Sequence, residues 1–179
     1  MKLKFGVVSL LLLWVVGCAG PRAIPGAYQP HEDRAELVAL AMAVHEKVNA
    51  HRVANKLPAL RMDGRLSRLA RRKSAAMAQG GEFAHVGFQQ RVNAIGRMMQ
   101  KNSVGENLAY NTHQNPAARA MAMWLDSSTH RKVMERSHFR LTGIAVAKSP
   151  SGQYYLAAEL TPFLLFTVIV DACLSLATI

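Results

Sequence analysis

From Leu37 onward the chain moves through two hydrophobic periods. Leu37, Leu40, Ala41, Val44 and Val48 recur at helical spacing, which predicts a first helix over about 32–53. Leu57-Pro58-Ala59-Leu60 breaks it, because proline disfavours helix in the residue before it. Asp63 is a good N-cap for a second helix running through Ala78. Its apolar stripe is Leu66, Leu69, Ala70 and Met77, and its other face carries Arg65, Arg68, Arg71, Arg72 and Lys73. Gly80-Gly81 ends that helix, and a shorter one is expected over 89–95, with Gly96 as its stop. Val104 to Tyr110 reads as extended. Pro116 suits the first turn of a helix, where its missing N–H costs nothing, and good helix formers continue to Leu125. Ser128 is placed to cap another short helix through Glu135. Leu141 to Ala147 then reads as a strand, Ser149-Pro150-Ser151-Gly152 as a turn, and Gln153 to Glu159 as the returning partner. There are no internal repeats. Helices first and strands late predict an α+β fold with an antiparallel sheet.

The two ends depart from this pattern. Lys2 and Lys4 precede an apolar run from Phe5 to Val16, followed by Gly17-Cys18. That is the layout of a secretory signal, and the run is shorter than the about 20 residues a spanning helix needs. Val15-Val16-Gly17-Cys18 resembles a bacterial lipobox, in which the cysteine becomes the acylated first residue. Ala19, rather than Asp, follows it; in Gram-negative bacteria that resemblance favours the outer membrane. Residues 19–30 hold three prolines and two glycines and read as a tether. The expected layout is a lipoprotein signal over 1–17, a lipid-anchored tether over 18–30, one domain over 31–160 and an apolar tail over 161–179. The tail has Asp171 as its only charge, and it reads equally as a second anchor, an extra core segment or a non-native terminus. With Cys18 acylated, Cys173 has no partner within the chain, so the fold must be held by packing without a disulfide.

The chain is strongly basic. Removing Lys2 and Lys4 lowers the formal charge from +11 to +9. Export argues against nucleic acid as the partner, and anionic lipid, lipopolysaccharide or acidic wall polymer suits the charge better. The membrane itself is the expected partner of an acylated Cys18. Oligomeric state is left open.

Two histidines and a glutamate stand in small or apolar surroundings, in Phe83-Ala84-His85, in Gly105-Glu106-Asn107-Leu108-Ala109-Tyr110, and in Trp124 followed by Ser127-Ser128-Thr129-His130. Two neutral imidazoles and one carboxylate can form a zinc site with water in the fourth position. A glutamate can also orient an imidazole as a base, with Ser127, Ser128 or Thr129 as candidate nucleophile. Serine and threonine ahead of a helix are more often caps. The spacing of the three groups is not local and does not choose among these. Of the other histidines, His31 and His45 are expected to be exposed, His51 to border the core, His113 to lie in a polar loop and His138 to be structural. Asn107 is expected to bond the backbone of a neighbouring segment, and most methionines to fill the core or a groove.

These words, with Val48-Asn49-Ala50-His51-Arg52, Leu57-Pro58-Ala59-Leu60 and Gly143-Ile144-Ala145-Val146, resemble in order and spacing the CAP superfamily. That superfamily unites cysteine-rich secretory proteins, insect venom antigens and plant pathogenesis-related class 1 proteins. The likeness runs from about Val44 to Tyr155 and is nearest the compact bacterial branch. It implies an α-β-α sandwich, with a small antiparallel sheet between helical layers. It also implies a cleft lined by His85, Glu106 and His130, supported by Asn107, Trp124 and Ser127. Animal members carry a second glutamate at the position of Ser127, so the acidic complement is incomplete. The expected cofactor is none, or zinc or another divalent metal held weakly by His85, His130 and Glu106. Three functions stay open: an envelope module that binds lipid or anionic components, a metal-assisted or His/Glu-dependent hydrolase of peptide or wall polymer, and a structural envelope protein. The balance leans away from an enzyme.

Overall fold

A computed structural model describes residues 30–100 and 103–162, with side chains from Arg34 onward. The signal, Cys18, the tether and the tail beyond Pro162 lie outside the described residues, as does the side chain of His31. Helix α1 spans Pro30–Ala54, α2 Gly64–Ala78, α3 Phe88–Met99, α4 Pro116–Asp126 and α5 Ser128–Met134. The strands are β1 Arg61–Met62, β2 Gly105–Asn111, β3 Phe139–Lys148 and β4 Tyr154–Pro162. The sheet order is β1-β3-β4-β2, which leaves β2 on an edge. β3 and β4 form the expected hairpin and β2 joins β4 antiparallel. The two-residue β1 pairs parallel to β3, so the small sheet is mixed.

Two layers of helices cover the sheet. On one side, Val44 and Val48 of α1, Ala120 and Trp124 of α4 and Met134 of α5 pack against Ile144, Val146, Leu156, Ala158 and Leu160. On the other, Ala70 and Met77 of α2 meet Leu108, Ala145 and Ala157, while Leu66, Ile95 and Met99 close over Leu141 and Val104. Covered on both faces, β4 is buried almost throughout and shows no polar face. This is an α+β sandwich of the expected kind.

The expected sequence words act as joints. Asn49 clamps the segment after α1, accepting from Leu60 N at 2.7 Å and donating to Leu60 O at 2.9 Å. Arg52 is fully buried and donates to the carbonyls of Pro58, Met134, Arg136 and Phe139. It thereby satisfies orphan carbonyls near the end of α5 and ties them to α1. Asp63 caps α2 through Arg65 N and Leu66 N, at 2.8 and 3.3 Å. Trp124 Nε1 donates to Leu108 O at 2.9 Å, pinning α4 to β2.

Four expectations need correction. The third helix does not stop at Gly96 but runs on to Met99, because Ile95 and Met99 continue one buried stripe. The cap of α5 is Ser127, not Ser128; Ser127 Oγ accepts from His130 N at 3.5 Å. Lys73 does not share the solvent face of α2. It is buried, and its ammonium donates to Ala84 O. His45 is half-buried rather than exposed, and burial pushes its pKa down, against a smaller opposing pull from Glu46.

Candidate functional site

The loop of residues 79–87 connects α2 to α3, and each residue of Phe83-Ala84-His85 is anchored separately. Phe83 sits edge-on to Tyr110, with ring centroids 4.6 Å apart. Ala84 O takes the buried Lys73 ammonium. His85 Nδ1 lies 2.7 Å from Glu106 Oε1. Gly87 then turns the chain into α3 with φ +76°, a conformation that side chains with a Cβ rarely adopt. His85 remains half exposed while the Glu106 carboxylate is 1% exposed, so the pair has one wet and one dry member.

The strand register extends the site beyond what the sequence suggested. Glu106 on β2 stands directly opposite Glu159 on β4. Residues 106 and 108 share a face of β2, as 157 and 159 do on β4, and Leu108 and Ala157 pack under α2. Both acids therefore face the α2–α3 layer. Arg91, in the first turn of α3, reaches between them. It pairs with Glu106 Oε2, and its Nε lies 2.9 Å from Glu159 Oε1. These are ion pairs by distance without the alignment of directed hydrogen bonds, and among the described residues Glu159 Oε2 meets no directed hydrogen bond. Burial, reinforced by the charge of Glu106 and only partly opposed by Arg91, pushes the Glu159 pKa up to about 9. Lys73 is pushed down by burial first and by Arg91 next.

His130 reaches the same edge strand from the opposite layer. It sits on α5, and its carbonyl accepts from Asn107 Nδ2 at 3.0 Å. Asn107 is buried and points away from Glu106, as neighbouring strand residues must. Burial lowers the His130 pKa, and the charge of His85 lowers it further. The structure thus joins His85 to Glu106 by contact and links His130 to them through Asn107 and the shared edge of β2. Ser127 serves both α4 and α5 as a cap, and Trp124 supports β2 from below. Asp126 is exposed. Of the remaining histidines, His51 pairs with Glu135 at 2.9 Å, His113 lies exposed, and His138 is exposed beside Ser103 Oγ at 2.9 Å.

The expected metal finds a poor fit. Both oxygens of Glu106 are engaged, one by His85 and one by Arg91. Among the described residues no three His, Cys, Asp or Glu side chains are grouped so as to hold a metal ion.

Beside the polar cluster lies a cavity of about 500 Å³ between α2 and α3, within the range of small-molecule sites. Leu69, Ala76, Met77 and Ala94 supply its apolar wall, Arg72 and Lys73 its cations, and Glu82 its one acid. Arg91 belongs to both this cavity and the acid pair. Among the described residues no helix is long and apolar enough to cross a membrane.

A three-layer sandwich with two histidines and a buried acid gathered at an edge strand defines a small, widely used class of domain. The chain belongs to the CAP, or cysteine-rich secretory protein, family, whose model matches residues 45–169. Solved structures share the fold at low identity. An extracellular SCP-domain protein of Bacillus anthracis is 20% identical with a TM-score of 0.63, over 76% of this chain and 45% of that one. An outer surface protein of Borrelia burgdorferi is 16% identical with a TM-score of 0.61, over 76% and 97%. A cysteine-rich secretory protein of Staphylococcus aureus is 18% identical with a TM-score of 0.55, over 69% and 39%. The chain thus spans less than half of the Bacillus and Staphylococcus proteins it resembles. No curated protein matches it by sequence.

Proposed function

We propose that this CAP domain is exported, held at the bacterial cell envelope through an acylated Cys18, and binds lipid or anionic envelope components. The observation that carries this reading is the cavity of about 500 Å³ beside the His85–Glu106 pair, apolar within and flanked by Arg72 and Lys73. An apolar pocket with a few converging charges suits an amphiphile better than a soluble polar metabolite. Arg72 lines the cavity, and the exposed Arg68 and the Asp63-paired Arg65 continue a basic row along α2. The extracellular or outer-surface location of the bacterial relatives fits export.

Hydrolysis has less support. Ser127 Oγ is committed to a helix cap, and Glu106 is held between His85 and Arg91 rather than poised as a free base. The test uses the full chain with phosphatidylcholine vesicles, with and without phosphatidylglycerol. Association is expected to rise with the anionic lipid, to weaken with added salt, and to fall at least about tenfold when Arg65, Arg68 and Arg72 are all changed to Glu. Equal association of the triple variant and the wild type would remove the electrostatic part of the reading.

A further inference from the structure

We propose that residues 163–179 pack across the outward face of α1 and complete the core of the domain on that side. α1 turns Ala41, Val44 and Val48 inward to the sheet. Its opposite face is apolar as well. At 3.6 residues per turn, Ala35, Val38, Ala39, Met42, Ala50 and Val53 fall within about 60° of one line down the helix. All six are exposed among the described residues, Val38 at 51%, Met42 at 43% and Val53 at 60%. Glu46 is the only charge on that arc, and Asn49 is turned to Leu60 by its two hydrogen bonds. A helix that meets water on one side carries polar residues there, whereas one that is apolar all round is covered all round. A patch of this kind calls for a partner.

The chain itself supplies the cover. β4 ends at Pro162, which pairs with Phe139, and Phe139 O accepts from Arg52 in the last turn of α1 at 3.2 Å. The chain therefore leaves β4 beside the end of α1 that carries Val53. From Val53 back to Val38 is about 23 Å of helix. Residues 163–179 reach about 25 Å if helical and about 55 Å fully extended, so either form spans the face. They are apolar, with Asp171 as their only charge. The face they meet is close to neutral, with Arg34 and Lys47 set against Glu36 and Glu46. The family match also continues past Pro162, to residue 169. A membrane suits this face less well. An anionic bilayer favours a basic rim, and the basic row lies on α2, across the sheet from α1. Two copies paired about the middle of the face would bring their Glu46 carboxylates together.

The experiment uses the full chain carrying Cys18→Ala, which leaves Cys173 as its one native thiol. Met42→Cys and Val53→Cys are added singly and oxidised at low protein concentration. Arg68→Cys, exposed on α2 across the sheet, is the comparison. A disulfide needs Cα atoms within about 7 Å, so its rate of closure reports proximity. Met42→Cys or Val53→Cys is expected to close an intrachain bond to Cys173, identified by peptide mass, at least about tenfold faster than Arg68→Cys. The bond should form equally well when phosphatidylglycerol vesicles are present. Rates no higher than that of Arg68→Cys at both positions overturn the proposal. A disulfide between two chains, seen as a doubled mass, gives the face to a second copy and overturns it too. So does loss of the bond on vesicles with Cys173 shielded from a water-soluble maleimide, which makes the tail an anchor. If neither variant folds, maleimide labelling of Cys173 in the Cys18→Ala chain decides without lipid. Labelling at least about tenfold slower in buffer than in urea supports the proposal, and equal rates overturn it.

Discussion

Glu159 faces Glu106 across the sheet, Arg91 from α3 and, further off, Lys73 from α2 and His85 from the connecting loop. Its pKa is raised from 4.5 to about 9, first by burial and then by the charge opposite. The folded state therefore holds a proton that the unfolded chain releases at lower pH. That contribution to stability is fully present below about 4.5 and is lost as pH climbs towards about 9. One proton limits the slope to about 1.4 kcal/mol per pH unit. His45 and His130 act in the other direction. Their pKa values are lowered, so their contribution is present above the ordinary 6.5 and is lost as pH falls through the lowered values. Glu159→Gln mimics the protonated acid and leaves both histidines alone, so the difference between variant and wild type isolates one group. Thermal melts across this range should show the variant gaining on the wild type steadily as pH rises. Parallel profiles would mean that Glu159 does not carry the proton.

At the scale of elements, the fold turns on how closely α2 lies against β3. A Cβ built on Gly143 would meet Leu66 C and Ser67 N at 2.1 Å. These are backbone atoms of a capped helix and cannot swing aside. Gly143→Ala should destabilise the protein by about 3 kcal/mol or more, read as a lower denaturant midpoint. It should also shift the His85 ring resonances, because α2 carries Lys73 and leads into the His85 loop. Gly152→Ala is the control. Nothing lies within 4 Å of its Cβ and only its φ of +84° resists the change, so about 1 kcal/mol is expected. A loss for Gly143→Ala no larger than that of the control would show that α2 is free to lift.

The same elements mark what the sequence made legible. α2 was readable because a cap, a stripe and a double glycine agree locally. The sequence ends α3 at Gly96 because a glycine's helix cost of about 1 kcal/mol is visible in sequence, while the burial of Met99 that offsets it is not. β1 was invisible, since two residues carry no period and pair only once β3 is in place. In the site, His85 and Glu106 stood out as lone polar groups in small or apolar words. Arg91 did not, because a charge on an amphipathic helix reads as solvated. Glu159 carries a signal in the sequence: it is the single acid in Leu156-Ala157-Ala158-Glu159-Leu160, a stretch otherwise fit for a fully covered strand.

For the whole molecule, the proposed envelope location turns on which force would hold it there. Basic residues near an anionic surface contribute about 1 kcal/mol each; Arg65 is paired with Asp63 at 2.9 Å, so Arg68 and Arg72 together supply about 2 kcal/mol, and salt screens that contribution. Buried acyl chain contributes about 0.8 kcal/mol per methylene, is insensitive to salt, and becomes effectively permanent when more than one chain is attached. On these magnitudes the proposed acylation of Cys18 outweighs the basic face in anchoring. In that reading the basic face would decide what the anchored domain touches. Expressed in a Gram-negative host with labelled palmitate, the wild type should incorporate label and remain with membranes through a high-salt wash. Cys18→Ala should lose the label and enter the soluble fraction in high salt, while still associating with anionic vesicles in low salt. Retention of Cys18→Ala on membranes in high salt would move the anchor to another segment of the chain. Incorporation of label without Cys18 would remove the lipobox reading altogether.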